Sequence, residues 1–311
     1  MNDIDYACDL LKKGEIICLP TETVYGLAAD ATQDHAVKKI YALKGRPDFN
    51  PLISHVSSLE MAEQYGIFSP ISRKICKSFW PGPLTIVVPK QKNCKISPIV
   101  TANLNTIALR SPDHPIISEI ITRIDTPLAA PSANISGTLS PTDISHVQDA
   151  FGDNTPFIID GGPCQIGLES TIIQVIGDNI HILRHGVITE TDLKPFANHV
   201  FLPSKDTEKT EIIAPGQLLR HYAPQKSLYF DLDNFTKDDG FLAFGTSNIP
   251  QNAKSIYQLS ETQDLNEAAS KLFSGLHMLD HCPIRHIFIA PIPYSGPGIA
   301  INDRLKRASY K

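Results

Sequence analysis

The sequence predicts an α/β protein of two domains. Short β-branched runs alternate with longer stretches whose apolar residues recur every three to four positions, the pattern of strands and helices packed in layers. With 311 residues the chain is long enough for two domains and at least one sizeable core. A charged, uneven stretch, LPSKDTEKTE at 202–211, breaks the alternation and reads as an exposed linker. These observations divide the chain into a larger domain over 1–200, a connecting segment over 201–225 and a smaller domain over 226–311.

Bulk properties restrict the function. With 42% hydrophobic and 20% charged residues, the composition is that of an ordinary globular protein. A net charge of −5 argues against a dedicated duplex-binding protein, though a local basic cleft is compatible with it. The six cysteines (Cys8, Cys18, Cys76, Cys94, Cys164, Cys282) are scattered with no CxxC pair, a pattern of reduced thiols rather than a disulfide framework or zinc site. The start, MNDIDYACDLL, is acidic where a signal peptide needs basic residues, and no apolar run approaches membrane-spanning length. The expectation is a cytoplasmic protein that does not enter a membrane.

Residues 3–13 place Ile4, Cys8 and Leu11 on one helical face, with Gly14 as the stop, and a short buried strand follows over 15–19. In PTETVYGLAADA, Pro20 opens a turn that sets Thr21, Glu22 and Thr23 at a strand end, where open α/β sheets bind ligands. A capped turn leading into the next helix explains the same residues equally well. The helix over 32–43, with Ala36, Val37, Ile40 and Tyr41 on its apolar face, delivers KGRPDFNPLISH at 44–55. Lys44 and Arg46 bracket a glycine there. The helix dipole alone favours cations at a helix C-terminus, but Pro47 and Pro51 add a rigidity that a surface cap does not need. Two fixed cations beside a rigid loop suit a polyanionic ligand.

A strand over 52–56 carries His55, and helices follow from Ser58 and over 69–79, the latter ending at WPGPL. Strands are predicted at 84–89 and 106–110, the second ending in Arg110, which taken alone reads as a surface ion pair. A helix over 115–124 and a brief strand over 128–131 lead into PSANISG, with Ser132, Asn134, Ser136 and Gly137. Such a loop can present hydroxyls and main-chain N–H groups to phosphate or carboxylate oxygens, or can be a plain Asx/Ser turn. Ser140 to Asp143 start a further helix, and 157–160 is a strand before Gly161-Gly162. Glu169-Ser170-Thr171 opens a strand over 171–176, and 182–184 closes a hairpin-like unit at Arg184.

APGQLLRHYAP at 214–224 sets Arg220, His221 and Tyr222 between two prolines, more chemistry than a spacer uses, and reads as a strap covering a ligand. Beyond it, strands over 227–231, 240–244 and 286–289 and a helix over 264–281 describe the second α/β domain. His277 and His281 have metal-ligand spacing, but without a third ligand the spacing carries little. GIAINDRLKRASYK forms a final basic amphipathic helix. GxxxxGK[ST], GxGxxG after a strand, GxSxG and HExxH are absent, so a nucleotide would be bound by none of the common loops.

Taken in order, PTETVYGL, KGRPDFNPLISH, PSANISG, ESTII and PGQLLRHYAP resemble the threonylcarbamoyl-AMP synthases in their long two-domain form, and GIAINDRLKRAS resembles the end of that family's second domain. The resemblance implies a strongly twisted mixed sheet with flanking helices and a concave basic site, joined to a smaller Rossmann-like α/β domain. It implies a nucleotidyltransferase that converts L-threonine, bicarbonate and ATP, with Mg²⁺, into threonylcarbamoyl-AMP and pyrophosphate. The product would feed threonylcarbamoyladenosine modification of tRNA through downstream transfer proteins, and direct contact with tRNA stays open.

Carried onto this chain, the resemblance makes Lys44 and Arg46 the catalytic cations. ATP falls to Arg46, Asn50, Thr106, Ser132, Asn134, Ser140, Arg184, His221 and Tyr222, and threonine to Thr23, His55, Arg110, Ala130 and Ser170, with no protein ligand for a metal. Two rival readings are an RNA-binding module without catalysis and a carbamoyltransferase-type nucleotide-binding domain. The acidic total and the lack of interleaved aromatics and cations count against the first. The lack of zinc-finger cysteine pairs counts against the second.

Overall fold

The computed structural model describes residues 3–203, 214–216, 221–247 and 249–310. Among these, the first domain runs α1 (Asp3–Lys12), β1 (Ile17–Leu19), β2 (Gly26–Asp30), α2 (Asp34–Lys44), β3 (Ile53–His55), α3 (Leu59–Glu63), α4 (Pro70–Phe79), β4 (Leu84–Pro89) and β5 (Thr106–Arg110). It continues through α5 (Pro115–Ile124), β6 (Leu128–Ala129), α6 (Ile144–Phe151), β7 (Phe157–Ile158), β8 (Thr171–Ile176), β9 (Asn179–Arg184), α7 (Glu190–Leu193) and β10 (His199–Phe201). Its strands form one ten-stranded mixed sheet in the order β10-β9-β8-β4-β5-β3-β6-β2-β1-β7.

Local chemistry sets the element ends. The Ser69 hydroxyl accepts the Ser72 N–H ahead of Pro70, which starts α4 where its missing N–H costs nothing. Gly45 ends α2 in the left-handed region (φ 57°) and donates its N–H back to the Ala42 carbonyl, so Lys44 is the last helical residue. The main core gathers Leu11, Ile40, Ile86, Leu109 and Ile120 with their neighbours between the sheet and its helices.

The topology brings several strand ends to one place. β3 and β5 are parallel and pair His55 with Arg110, while antiparallel β6 sets Leu128 across from His55. β8 runs parallel to β4, and β9 returns antiparallel so that Arg184 stands opposite Ile172 at a register shift. Side chains at the ends of β3, β5 and β9 and in the loops before β8 and after β6 therefore converge.

The second domain contains β11 (Leu228–Tyr229), β12 (Gly240–Ala243), β13 (Ser255–Gln258), α8 (Leu265–His281), β14 (Ile287–Ile289) and α9 (Pro297–Ser309). Its sheet is parallel throughout, in the order β11-β14-β12-β13. The smaller α/β domain is thus as the sequence predicts. Its core is not self-contained: Leu139, Leu168 and Tyr222 belong to it. The His146 and His277 rings stack at 3.8 Å, and the Thr142 and Ser274 hydroxyls lie 3.0 Å apart, so the domains meet through side chains of both.

Three strands were not legible as such. β2 occupies a stretch read as a turn, because Gly26 to Asp30 (GLAAD) lack β-branched residues. β10 and β13 have three and four residues and lie at sheet edges. Phe201, assigned to the connecting segment, ends β10, and Arg220 lies outside the described residues. Among the described residues no third metal-ligating side chain gathers with His277 and His281: one ring faces the Ser140 carbonyl, the other the His277 carbonyl.

Candidate active site

One concave pocket opens where the strand ends meet. Thr21, Thr23, Val24 and Gly26 form one wall, Ile53, His55 and Arg110 the floor, and Ala130, Pro131 and Ser132 the wall opposite. Arg46, Glu169, Arg184, Pro215, Gly216, His221 and Tyr222 line the rest. Three guanidinium groups facing one cleft make a site for more than one negative charge.

At the β3–β5 end, Arg110 is buried and anchored twice. Its Nε donates to the Gly82 carbonyl at 3.3 Å, and its Nη2 lies 2.7 Å from Glu22 Oε1. The second contact is an ion pair without hydrogen-bond alignment, since neither Nη2 nor the Glu22 oxygens have an aligned partner. Beside it the His55 Nδ1 is buried without a partner, and burial, with the Arg110 charge, pulls the imidazole pKa down to about 3. His55 is neutral at ordinary pH. The Thr21 and Thr23 hydroxyls are 2.8 Å apart, and Thr21 donates to the Val24 carbonyl at 2.7 Å, which fixes a short hydroxyl wall.

At the opposite side, Arg46 donates from Nε to the Asn50 carbonyl at 3.1 Å and from Nη2 to the Pro51 carbonyl at 2.8 Å. The proline-braced loop thereby holds its own cation, which also lines the pocket. Lys44 turns inward instead. Its ammonium donates to the Ser132 carbonyl at 2.6 Å and the Asn134 carbonyl at 2.5 Å, with Asn134 Oδ1 at 3.3 Å. Burial first, and Arg46 second, pull the Lys44 pKa well down, while three converging oxygens favour its charged form.

Arg184 is held by Ser170: Nε donates to its carbonyl and Nη2 to its hydroxyl, both at 3.1 Å. Glu169 next door accepts from the Ser140 hydroxyl at 2.5 Å and from Arg304 Nε at 2.8 Å. In two further lining residues, Tyr222 and His221, the Tyr222 hydroxyl and His221 Nδ1 are buried and unpartnered. Burial chiefly pulls the His221 pKa to about 3, so this ring too is neutral.

Residues 9–186 match the family model described as "Telomere recombination", and residues 186–309 match "Threonylcarbamoyl-AMP synthase, C-terminal domain". The chain is 36% identical to the Pyrococcus abyssi "Threonylcarbamoyl-AMP synthase" over 329 residues, covering 98% of this chain and 94% of the relative. It is 35% identical to the protein of that name from Bacillus subtilis, covering 98% and 92%. The chain belongs to the threonylcarbamoyl-AMP synthase family. The fold agrees: the crystal structure of P. abyssi Sua5 complexed with L-threonine superposes with a TM-score of 0.88 at 32% identity, covering 99% of this chain and 95% of that one.

Of the residues the sequence assigned to a synthase site, the pocket gathers Thr23, Arg46, His55, Arg110, Ala130, Ser132, Arg184, His221 and Tyr222. Lys44, Asn134, Ser140 and Ser170 stand behind it, each bonded to a group that lines it or shapes its loop. Asn134 braces its loop from within, its amide donating to the Ile135 and Thr138 carbonyls at 3.0 and 2.9 Å. Asn50 is buried with Oδ1 unpartnered and contributes its carbonyl to Arg46. Thr106 is not brought to the pocket: it begins β5, opposite Pro89, whereas Arg110 ends that strand.

Sequence reasoning did not single out Glu169 or Arg304. Both sit in motifs that carry the family resemblance, ESTII and GIAINDRLKRAS, and their pairing across 135 positions joins the two domains.

Proposed function

We propose that this chain makes threonylcarbamoyl-AMP and pyrophosphate from L-threonine, bicarbonate and ATP. The observation that carries the reading is the division of the pocket: Arg110 beside a hydroxyl wall at one end, Arg46 and Arg184 under a strap at the other. The relatives named for this activity, matched along nearly the whole chain, support it.

Arg110 receives the threonine carboxylate, with Thr23 and the neutral His55 turned toward the hydroxyl and amine. The threonine nitrogen attacks the carbon of bicarbonate, forming the N–C bond and losing water, which leaves an N-carboxylate. That carboxylate oxygen attacks the α-phosphorus of ATP, and the bond to the β-phosphate breaks. The residues offer no nucleophile and none is needed. Their work is to hold two anions in line and to offset charge gathering on the phosphates, which preorganised guanidinium groups do in a water-poor site.

Mg²⁺, as a companion of ATP, would neutralise part of the triphosphate charge. The pocket offers it little: the lining carboxylate, Glu169, has both oxygens engaged, and the other lining charges are cationic. The ion would therefore be held by phosphate oxygens and water. The free cysteines suit the cytoplasm we propose for it, and no described helix is long and apolar enough to cross a membrane. The product, a mixed anhydride, would serve as the acyl donor for downstream tRNA threonylcarbamoyl-transfer proteins.

The test is pyrophosphate release from ATP with threonine and bicarbonate each omitted in turn. Release should need both, and release indifferent to either omission sinks the reading.

A further inference from the structure

Arg304 is the largest fully buried side chain of the described residues, and it comes from α9 of the second domain. Its guanidinium reaches the first domain and the Tyr222 ring as well as its own helix. Nε donates to Glu169 Oε2 at 2.8 Å and Nη2 to the His185 carbonyl at 2.8 Å, while Nη1 meets Asp303 on its own helix at 2.7 Å. Its central carbon stands 4.9 Å from the centroid of the Tyr222 ring. One turn further on, the Arg307 carbonyl accepts the His221 N–H at 3.4 Å.

We propose that Arg304 is a positioning residue through which the second domain sets affinity at the ATP side of the pocket, by holding Glu169 and Tyr222 in place. This rests on the synthase reading above. The two ends of the pocket are built differently. Arg110 and His55 take their anchors from the first domain alone, through Gly82, Glu22 and the β3–β5–β6 pairing. The ATP side draws on both domains: Ser170 of the first grips Arg184, while Glu169 and Tyr222 rest against Arg304. Glu169 precedes Ser170, which grips Arg184, and a Cβ on Gly216 would meet both Arg184 and the Tyr222 hydroxyl.

Burial alone would raise the Glu169 pKa. Arg304 and Arg184, with the Ser140 hydroxyl, more than offset this, so the carboxyl lies below its ordinary value and is charged. Without Arg304 that buried charge has Arg184 as its remaining cationic neighbour. The carboxylate would then draw on the guanidinium that the pocket uses, and the Tyr222 ring would lose the cation packed on its face. The threonine end would keep its own supports.

Calorimetric titration of the full chain with ATP and, separately, with L-threonine tests this. Arg304→Gln should weaken ATP binding about 10- to 100-fold, the scale on which losing a partner that orients a binding group acts, and leave threonine binding near the wild-type value. The double variant E169Q/R304Q, which removes both charges, should lose less than the two single losses combined. If Arg304→Gln does not fold, Arg304→Lys carries the same comparison, since it keeps the charge and loses the fork. ATP binding at wild-type strength, equal loss of both ligands, or additive single losses would each overturn the proposal. A wild-type chain that binds neither ligand overturns the synthase reading and this inference with it. A wild type that binds both leaves the variants to decide this point alone.

Discussion

The Lys44 ammonium lies 2.6 Å from the main-chain carbonyl oxygen of Ser132, inside the protein and behind the pocket wall. With the Asn134 carbonyl and amide oxygen it ties the end of α2 to the loop after β6. Arg46, two residues on, faces the pocket. The pair that looks equivalent in sequence is therefore divided, one cation shaping a loop and the other lining the pocket. Lys44→Met should cost about 2–3 kcal/mol of stability, because it leaves buried carbonyls without donors. Arg46→Gln should chiefly weaken ATP binding. Denaturant unfolding beside ATP titration separates them, and equal stability losses in both would refute the division.

The Arg110–Glu22 contact leads to a second pair of variants. Arg110→Gln removes the carboxylate partner proposed for threonine and should weaken threonine binding by about 10- to 100-fold, the scale of a charge-assisted hydrogen bond. It also strands the buried Glu22, so stability should fall. Glu22→Gln leaves Arg110 its Gly82 anchor and should weaken threonine binding less. Threonine titrations of the two proteins check the order, and the reverse order would move the carboxylate site elsewhere.

Four histidines make the fold sensitive to acid. Burial chiefly holds His55 and His221 at about 3, and His146 and His277 at about 4. In the unfolded chain each takes a proton near 6.5. The unfolded state therefore binds more protons between about 6.5 and 4, and stability is full above 6.5 and is lost as pH falls through that window. By pH 5 each histidine should cost up to about 2 kcal/mol. Unfolding midpoints measured from pH 7.5 down to 5 should fall, and H146Q/H277Q should flatten the curve. A wild-type midpoint unchanged over that range would contradict the buried neutral state.

Much of this was legible in the sequence, and the unread part has a common cause. Helix caps and prolines at Ser69, Pro70 and Pro115 marked element ends, and His55, Arg110 and Arg184 could be placed at strand ends from pattern alone. What pattern does not give is direction. Whether Lys44 points outward or under the loop is set by where the loop after β6 lies, a contact across 88 positions. Arg304 meets Glu169 across 135 positions, and on a helix read as basic and amphipathic it has the look of a surface residue. Thr106 and Arg110 share one short strand, but only the sheet register shows that its ends face different places.

Domain docking can be probed at a residue that does not itself line the pocket. Gly167 is in the left-handed region (φ 70°), and a Cβ there would run into the main chain of Ser270 on α8. Ala at this position meets two penalties, the backbone strain of a positive φ and an overlap that only separation of the domains relieves. Gly177, in the β8–β9 turn with φ 57° and open space around it, meets the first alone. Gly177→Ala should lower stability by about 1–2 kcal/mol and leave both ligand affinities unchanged. Gly167→Ala should also weaken ATP binding while threonine binding persists, because α9 and Arg304 move with the domain that carries α8. Full ATP affinity in Gly167→Ala would mean that the second domain's seat does not govern the strap side of the pocket.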